Sequence, residues 1–314
     1  MTQQSDTPTA ILDHVAVGLD GIARMLAHYL GKVPVWTDSS LCAADYHSGS
    51  VLDLVRTGGI NLEAQAIQQL SQAYGHILAL SRTIGEPDAI LALLTLTRSV
   101  LASAGLVHHA LATGLYERER ARRMMNTYLH WTGEALNYVG DFDAEATLHK
   151  RRAVIVASAR QSGFTVTAKA KNPLTRVWPE WHVGARLPGE MARLTEMVHA
   201  EPAENAALAA STLYRLMSAA AHAQPHAGYG VVEVRRPPQV ADRDFYTPGS
   251  LDVRMVVRWM YTMGALLNRA VVRAGDYFGW DLQPWEEAMH ADLRNWSAIA
   301  NAKVMEDPPP GPKA

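Results

Sequence analysis

Apolar residues recur at intervals of three and four along most of this chain, and that spacing constrains the fold more than any other feature. Within residues 9–30, the apolar residues that share one helical face are Ile11, Val15, Leu19, Ile22 and Leu26. Such a recurrence is typical of an amphipathic helix with one buried face. Gly31 and the nearby Pro34 predict where this first helix ends.

The same periodicity predicts helices over much of the remaining chain. The predicted ranges are 61–82, 87–114, 117–140, 145–160, 203–223, 250–273 and 281–304, with a short helix near Gly189. Residues 32–60, which are rich in Gly, Ser and Asp, are predicted to be mainly loop. The fold prediction is therefore all-α, a multi-helix bundle of about eight to ten helices. We expect residues 1–305 to form a single helical domain and residues 306–314 to be a disordered proline-rich tail.

One segment, near residues 164–190, breaks the helical spacing. Residues 164–171 alternate in character and include β-branched side chains, which favours an extended segment or a short strand. A loop rich in proline and tryptophan follows, through Trp178, Pro179 and Trp181. We predict an irregular insertion into the bundle at this point.

The composition is that of a folded chain, with 48% apolar and 19% charged residues. The single cysteine, Cys42, permits no intrachain disulfide and no thiolate metal cluster, and we expect it to be a small buried residue. The N-terminus lacks the basic and apolar regions of a signal peptide, and Arg98 and Arg258 interrupt the most apolar stretches. We therefore expect a cytoplasmic protein without a membrane span.

Charged residues are unevenly distributed, although the formal net charge is only -2. Residues 1–97 carry nine acids and four bases, whereas residues 115–186 carry twelve bases and seven acids. The basic middle can face the acidic N-terminal third, which is the commoner use of such asymmetry, or it can face phosphate. The charges of residues 117–123 are typical of a solvated helix face, with Glu119 and Arg123 spaced to pair across one turn.

The candidate catalytic residues lie together on the predicted helix 203–223. Arg215 and His222 are seven residues apart, so both project from one face, with Ser218 between them and Tyr214 beside Arg215. A guanidinium group stabilises charge on phosphorus oxygens, and an imidazole transfers protons near neutral pH. This face can bind and cleave a phosphodiester, or it can be a tight-packing surface whose arginine and histidine only make contacts within the fold.

The Arg-x6-His spacing of Arg215 and His222 resembles the signature of HEPN domains, which are helical, nucleic-acid-associated modules. The resemblance covers eight residues, with Leu216 at a position that is commonly polar in that family. It implies a metal-independent ribonuclease of a defence or toxin system, acting as a homodimer without a cofactor. Arg215 would hold the phosphate and His222 would act as general acid or base, assisted by Ser218 and Tyr214. Basic side chains would guide the RNA backbone, namely Arg118, Arg122, Arg123, Lys150, Arg151 and Arg152.

A wider set of segments resembles a group of uncharacterised helical proteins that is common in actinobacteria. The segments are residues 98–101, 119–123 and 214–222. In that group an arginine on a core helix is often followed one turn later by a glutamate, where this chain has Ala102 or the nearby Ser103. The resemblance implies the helical fold and no particular activity.

A second functional hypothesis is a small-molecule-binding or tailoring enzyme with a histidine-lined helical pocket. Its candidate ligand-binding residues are His108, His109, Trp131, His226 and Tyr229. His108 and His109 are adjacent and point about 100° apart on a helix, so they cannot chelate one metal ion together. A third hypothesis is a non-catalytic interaction protein that binds its partner through the basic face.

Several catalytic signatures are missing from the sequence. It contains no P-loop, no Gly-x-Gly-x-x-Gly, no His-Glu-x-x-His and no Gly-x-Ser-x-Gly. Glu196 and His199 form the Glu-x-x-His step of di-iron carboxylate bundles, but such a site needs a second matching step. The sequence therefore gives little support to Rossmann redox chemistry, nucleotide-dependent phosphoryl transfer, zincin proteolysis or di-iron chemistry.

Overall fold

The computed structural model describes residues 7–31, 36–47, 49–86, 89–112, 114–136, 139–169, 180–199, 217–218 and 253–301. The helices of these residues are α1 (Pro8–Leu30), α2 (Leu41–Asp45), α3 (Val51–Thr57), α4 (Glu63–Thr83), α5 (Ile90–Ala110), α6 (Glu117–Ala135), α7 (Phe142–Gln161), α8 (Glu190–His199), α9 (Val253–Phe278) and α10 (Gln283–Asn301). The strands are β1 (Val166–Lys169) and β2 (Glu180–Val183). The prediction of an all-α multi-helix bundle is confirmed.

Short polar side chains begin several of these helices. Thr7, Ser40 and Ser50 each accept a hydrogen bond from the backbone N–H three residues later, at the starts of α1, α2 and α3. Asp141 accepts one from the N–H of Asp143 at the start of α7. These bonds satisfy backbone donors that have no partner inside the helix. The chain therefore carries its own start signals, although two of them precede helices of only five and seven residues.

Helix α5 lies at the centre of the bundle. It packs mainly against α4 and α9, and it also contacts α6 and α8. On the other side of α4 lies α1, which reaches α9 and α10 as well. One continuous hydrophobic core runs through these helices, from Leu12 near the N-terminus to Ala300 in α10.

Two glycines allow three helices to meet closely around Trp296, whose side chain is fully buried. A methyl group added at Gly18 of α1 would lie 3.0 Å from the indole ring, and one added at Gly264 of α9 would lie 3.1 Å from it. Both distances are too short for comfortable van der Waals contact. Glycine at both positions therefore lets α1, α9 and α10 pack this closely without displacing the indole.

The segment that breaks the helical pattern contains a two-stranded antiparallel sheet, in which Val166 pairs with Val183. Asn126 of α6 holds the second strand. Its side-chain amide donates to the carbonyls of Val183 and Ala185 at 3.0 and 2.9 Å, and its carbonyl accepts from the Val183 N–H at 2.8 Å. The predicted strand is confirmed within residues 164–171, but its partner β2 lies where a loop was predicted.

Three other predictions about local structure differ from the fold. Residues 32–60 are not mainly loop, because they contain α2 and α3. Helix α6 ends at Ala135 rather than at residue 140. Helix α7 starts at Phe142 rather than at residue 145, because Asp141 caps it. The predicted helix 203–223, apart from residues 217–218, and the proline-rich tail lie outside the described residues.

By length and mean hydropathy, α5 is the described helix that is apolar enough to cross a bilayer. Half of its most apolar stretch is buried against other helices in this structure. This is weak evidence for a membrane span, because the core helix of a folded bundle has the same length and composition.

Candidate functional site

A polar groove of about 320 Å³ opens between α4, α5 and α6. We call it the glutamine groove. Helix α4 contributes Gln65, Gln68, Gln69, Gln72 and His76; α5 contributes Ser99, Ala102, Ser103 and Leu106; and α6 contributes Thr127, His130, Trp131 and Glu134. A volume of this size suits a small molecule, and polar groups from three helices converge on it.

The glutamines reach the groove because of their spacing along α4. Positions 65, 68, 69 and 72, followed by His76, recur at intervals of three and four, so they form one stripe along the helix. The stripe extends about 16 Å at the usual rise per residue. The adjacent face of α4 carries Ala66, Leu70, Ala73, Ile77 and Leu80, which are buried in the core. The core contacts of α4 therefore orient the amide stripe towards the groove.

One residue of the groove has a buried donor without a hydrogen-bond partner. The Nε2 amide nitrogen of Gln65 is enclosed by the protein and makes no hydrogen bond. Gln65 also lines a small internal cavity of about 10 Å³, together with Gln69, Leu106 and Thr127, which line the groove as well. This cavity has room for about one water molecule, and the enclosed nitrogen is not open to a ligand in the groove.

An aromatic side chain and two imidazoles complete the lining. Trp131 is half-buried and makes an edge-on contact with Tyr128, with ring centres 6.3 Å apart. Burial lowers the pKa of His76 below its ordinary value, so its imidazole is neutral at pH 7. His130 is exposed at the rim. The groove therefore places a flat apolar ring beside the neutral imidazole of His76 and the glutamine amides.

The structure separates the predicted ligand-binding residues. Trp131 lines the glutamine groove, but His108 and His109 do not. His226 and Tyr229 lie outside the described residues. The two histidines that do line the groove, His76 and His130, were not among the predicted residues.

His109 belongs to an ion-paired cluster where α5, α6 and α8 meet. Its Nδ1 atom lies 2.8 Å from Glu196 Oε2, and Arg123 donates to Glu196 Oε1 at 2.9 Å and to the His109 carbonyl at 3.0 Å. Burial would raise the pKa of Glu196, but the hydrogen bonds from His109 and Arg123 lower it to about 2. Glu196, noted in the sequence for its step to His199, is thus paired with a histidine of another helix.

The side chain of His108 has different surroundings from that of His109. It is 4% exposed, and its Nδ1 atom is buried without a hydrogen-bond partner. Burial and the nearby positive charges of Arg273 and Arg269 lower the pKa of His108 to about 4, against the opposing effect of Glu196. The imidazole is therefore neutral at physiological pH, and it lies away from the groove.

Most of the basic residues that were predicted to guide RNA are engaged within the fold. Arg122 and Arg123 both bind Glu119, at 2.6 and 3.1 Å, and their hydrogen bonds lower the pKa of Glu119 to about 2. Arg118 donates to the carbonyls of residues 162 and 163, and its guanidinium stacks over a phenylalanine ring. Arg152 is buried and donates to the Leu129 carbonyl at 2.8 Å. Lys150 and Arg151 are exposed.

The predicted pairing of Glu119 with Arg123 is confirmed, but the charges of residues 117–123 are not simply a solvated face. Arg120 is buried and binds Asp45 through two hydrogen bonds, of 2.8 and 2.6 Å. This side of α6 faces α2, so its cation needs a buried carboxylate. At this contact the basic middle of the chain does face the acidic N-terminal third.

Cys42 lies close to that ion pair and is buried, as predicted. Burial and the charge of Glu63 raise the pKa of the Cys42 thiol to about 12. Tyr46 donates a hydrogen bond to Glu63, and burial raises the pKa of both groups. A protonated, solvent-excluded thiol is a poor nucleophile, so Cys42 has a structural role.

The predicted catalytic set falls almost wholly outside the described residues. Tyr214, Arg215 and His222 are not described, whereas Ser218 lies in a helical segment beside the buried Met217 and is itself half-buried. The arrangement of Arg215 and His222 thus stays a prediction from their spacing. Within the described ranges, no group of three His, Cys, Asp or Glu side chains is placed to hold a metal ion.

A second groove, of about 470 Å³, runs along α7 beside β2. Its lining includes Arg152, Arg160 and Trp181, with the Arg160 guanidinium 5.6 Å from the centre of the Trp181 ring. The remaining lining of this groove is His149 and three small apolar residues. It therefore has fewer convergent polar groups than the glutamine groove.

Comparison of the chain with protein families, with curated proteins and with solved structures finds no match. The function is therefore inferred from the chemistry of the grooves.

Proposed function

We propose that this protein binds a small molecule in the glutamine groove. The observation that carries the proposal is a groove of about 320 Å³ on which polar groups from three helices converge beside the half-buried Trp131. Convergent polar groups beside an apolar wall are typical of small-molecule sites. A small-molecule site is also one of the hypotheses from the sequence. The site proposed here includes Trp131 of that predicted set, but neither His108 nor His109.

Trp131 is the side chain that tests this proposal most directly. We expect small molecules that bind in the groove to lose about tenfold or more in affinity in Trp131→Ala, because the apolar wall is removed. Ligand-observed NMR with a chemically diverse library measures this. Trp181→Ala is the matched control, since Trp181 is also half-buried but lies on β2. A library without hits, or with hits equally affected by both substitutions, would refute the proposal.

The HEPN-like ribonuclease hypothesis remains a separate prediction, based on the spacing of Arg215 and His222. Three of the basic residues that would guide RNA already have partners within the fold, namely Arg122, Arg123 and Arg152. Their guanidinium groups are therefore less available to bind phosphate than the sequence suggests. The non-catalytic interaction hypothesis also remains open to test. A bound partner without turnover, captured through Lys150 and Arg151, would favour it.

A further inference from the structure

The charges of the glutamine groove restrict the class of ligand. Among the described residues that line it there is no lysine or arginine, and Glu134 is the acidic member of the set. His76 is neutral at pH 7 because burial lowers its pKa. Sites for phosphate or carboxylate groups use guanidinium or ammonium groups, or a helix N-terminus aimed at the anion. The described lining has no lysine or arginine, so it disfavours a ligand that carries phosphate or carboxylate groups.

The hydrogen-bonding groups restrict the class further. Each glutamine amide places an acceptor oxygen and a donor NH2 side by side. A ligand hydroxyl has the same dual character. The hydroxyls of Ser99 and Thr127 donate to carbonyls of their own helices, so they offer acceptors to a ligand. Gln65, Gln68, Gln69 and Gln72 repeat this chemistry over about 10 Å of helix, opposite Ser99, Ser103 and Thr127. A ligand with hydroxyls at many points along its length matches such a row.

The distribution of polar groups favours a sugar over a nucleobase. A base presents a few polar groups along the edge of one plane, whereas the polar groups here come from three helices around the groove. The flat ring of Trp131 can accept the apolar face of a ring-shaped ligand. The glutamine amides of the groove then reach the hydroxyls around the edge of that ligand.

From these contacts we propose that the ligand is a neutral saccharide, whose ring packs on Trp131 and whose hydroxyls bind the glutamine stripe. This rests on the proposed function, since it names the class of molecule that occupies the same groove. The exposed amides of Gln68 and Gln72 bind the hydroxyls of the sugar.

The experiment is a binding titration of the full chain against three sets of probes. The first set comprises neutral trisaccharides of glucose, galactose, mannose and N-acetylglucosamine. The second comprises the four common ribonucleosides, and the third is glucose 6-phosphate. We expect saturable binding in the first set only. The double variant Gln68→Leu/Gln72→Leu should weaken it about tenfold, because two hydrogen bonds are lost.

The variants keep failure of folding separate from failure of binding. Gln68 and Gln72 are exposed, so their replacement leaves the core intact, and the exposed Gln161 of α7 provides the control Gln161→Leu. Nucleoside or sugar-phosphate binding that depends on Gln68 and Gln72 would overturn the saccharide assignment but keep the proposed function. Saccharide binding that ignores these substitutions would place the sugar elsewhere and overturn the assignment. No saturable binding in any set would overturn the assignment, and the Trp131→Ala screen then decides the proposed function separately.

Discussion

His108 and His109 are adjacent in the chain but differ in their electrostatic surroundings. His109 lies 2.8 Å from the carboxylate of Glu196, whereas His108 is buried near Arg269 and Arg273 with no partner for its Nδ1 atom. The spacing of side chains on a helix predicts that the two rings diverge. It does not predict which ring meets a carboxylate, because α8 and α9 supply those charges from distant parts of the sequence.

His108 should make the stability of the protein sensitive to mild acid. Its pKa is about 4 in the folded chain, below the ordinary value of 6.5, so between these values the unfolded chain binds a proton that the folded chain does not. The free energy of unfolding should therefore be fully maintained above pH 6.5 and should fall as the pH is lowered to 4. We expect His108→Gln to remove up to about 3 kcal/mol of that fall.

Urea denaturation at several pH values between 4 and 7 measures this effect. His290→Gln, at an exposed position of α10, is the matched control and should keep the wild-type slope. An unchanged slope in His108→Gln would contradict the prediction.

At the scale of elements, the sequence predicts long helices well and short or non-local elements badly. Helices α1, α4 and α5 have several turns of apolar periodicity, so their existence follows from spacing alone. Helices α2 and α3 are too short to show a period, and their serine caps were the available signal. The strand β2 forms because Asn126 and β1 supply its partners, and neither pairing is visible in the residues of the strand.

The glutamine groove was predictable only in part. The intervals of three and four between Gln65, Gln68, Gln69 and Gln72 show that the amides share a face of α4. A polar helical face is usually solvated, however. The sequence of the stripe does not show that α5 and α6 pack beside it to form a groove. Trp131 was identified as a candidate, although its predicted companions His108 and His109 point elsewhere.

The attachment of the small sheet to α6 should depend on Asn126. Replacement by alanine removes three hydrogen bonds and leaves the buried N–H and carbonyl of Val183 without these partners. We expect Asn126→Ala to lower the free energy of unfolding by about 2 kcal/mol and to speed amide exchange at Val183. Hydrogen exchange and urea denaturation report the two effects.

Asn301→Ala is the control for this substitution, because Asn301 is exposed and its side chain donates only within the last turn of α10. If exchange at Val183 is the same in Asn126→Ala as in the wild type, Asn126 does not hold the strand.

At the scale of the whole molecule, the uneven charge of the chain is partly balanced inside the fold. Arg120 binds Asp45 across 75 residues of sequence, and Arg123 binds Glu196 across 73. Exposed basic groups remain on α7, including Lys150 and Arg151. The sequence asymmetry therefore overstates the positive surface that is open to a phosphate backbone.

The ribonuclease hypothesis predicts an activity, cleavage of RNA, that small-molecule binding in the glutamine groove does not predict. If it holds, the wild type cleaves a mixed RNA pool in excess EDTA, whereas Arg215→Ala and His222→Ala lose cleavage without losing the fold. Gel analysis of the RNA, with circular dichroism of each variant, measures both. His290→Ala should cleave as the wild type does. Cleavage retained in both Arg215→Ala and His222→Ala, or no cleavage by the wild type, would count against the hypothesis.

The contact between Gly18, Gly264 and Trp296 has a consequence for how this fold can diverge. An added carbon at either glycine lies within 3.0 to 3.1 Å of an indole that is itself enclosed, so the ring or a helix must shift to accept it. The exposed members of the amide stripe, Gln68 and Gln72, have no such constraint. Substitutions that alter the groove are therefore less restricted by packing than substitutions where α1, α9 and α10 meet.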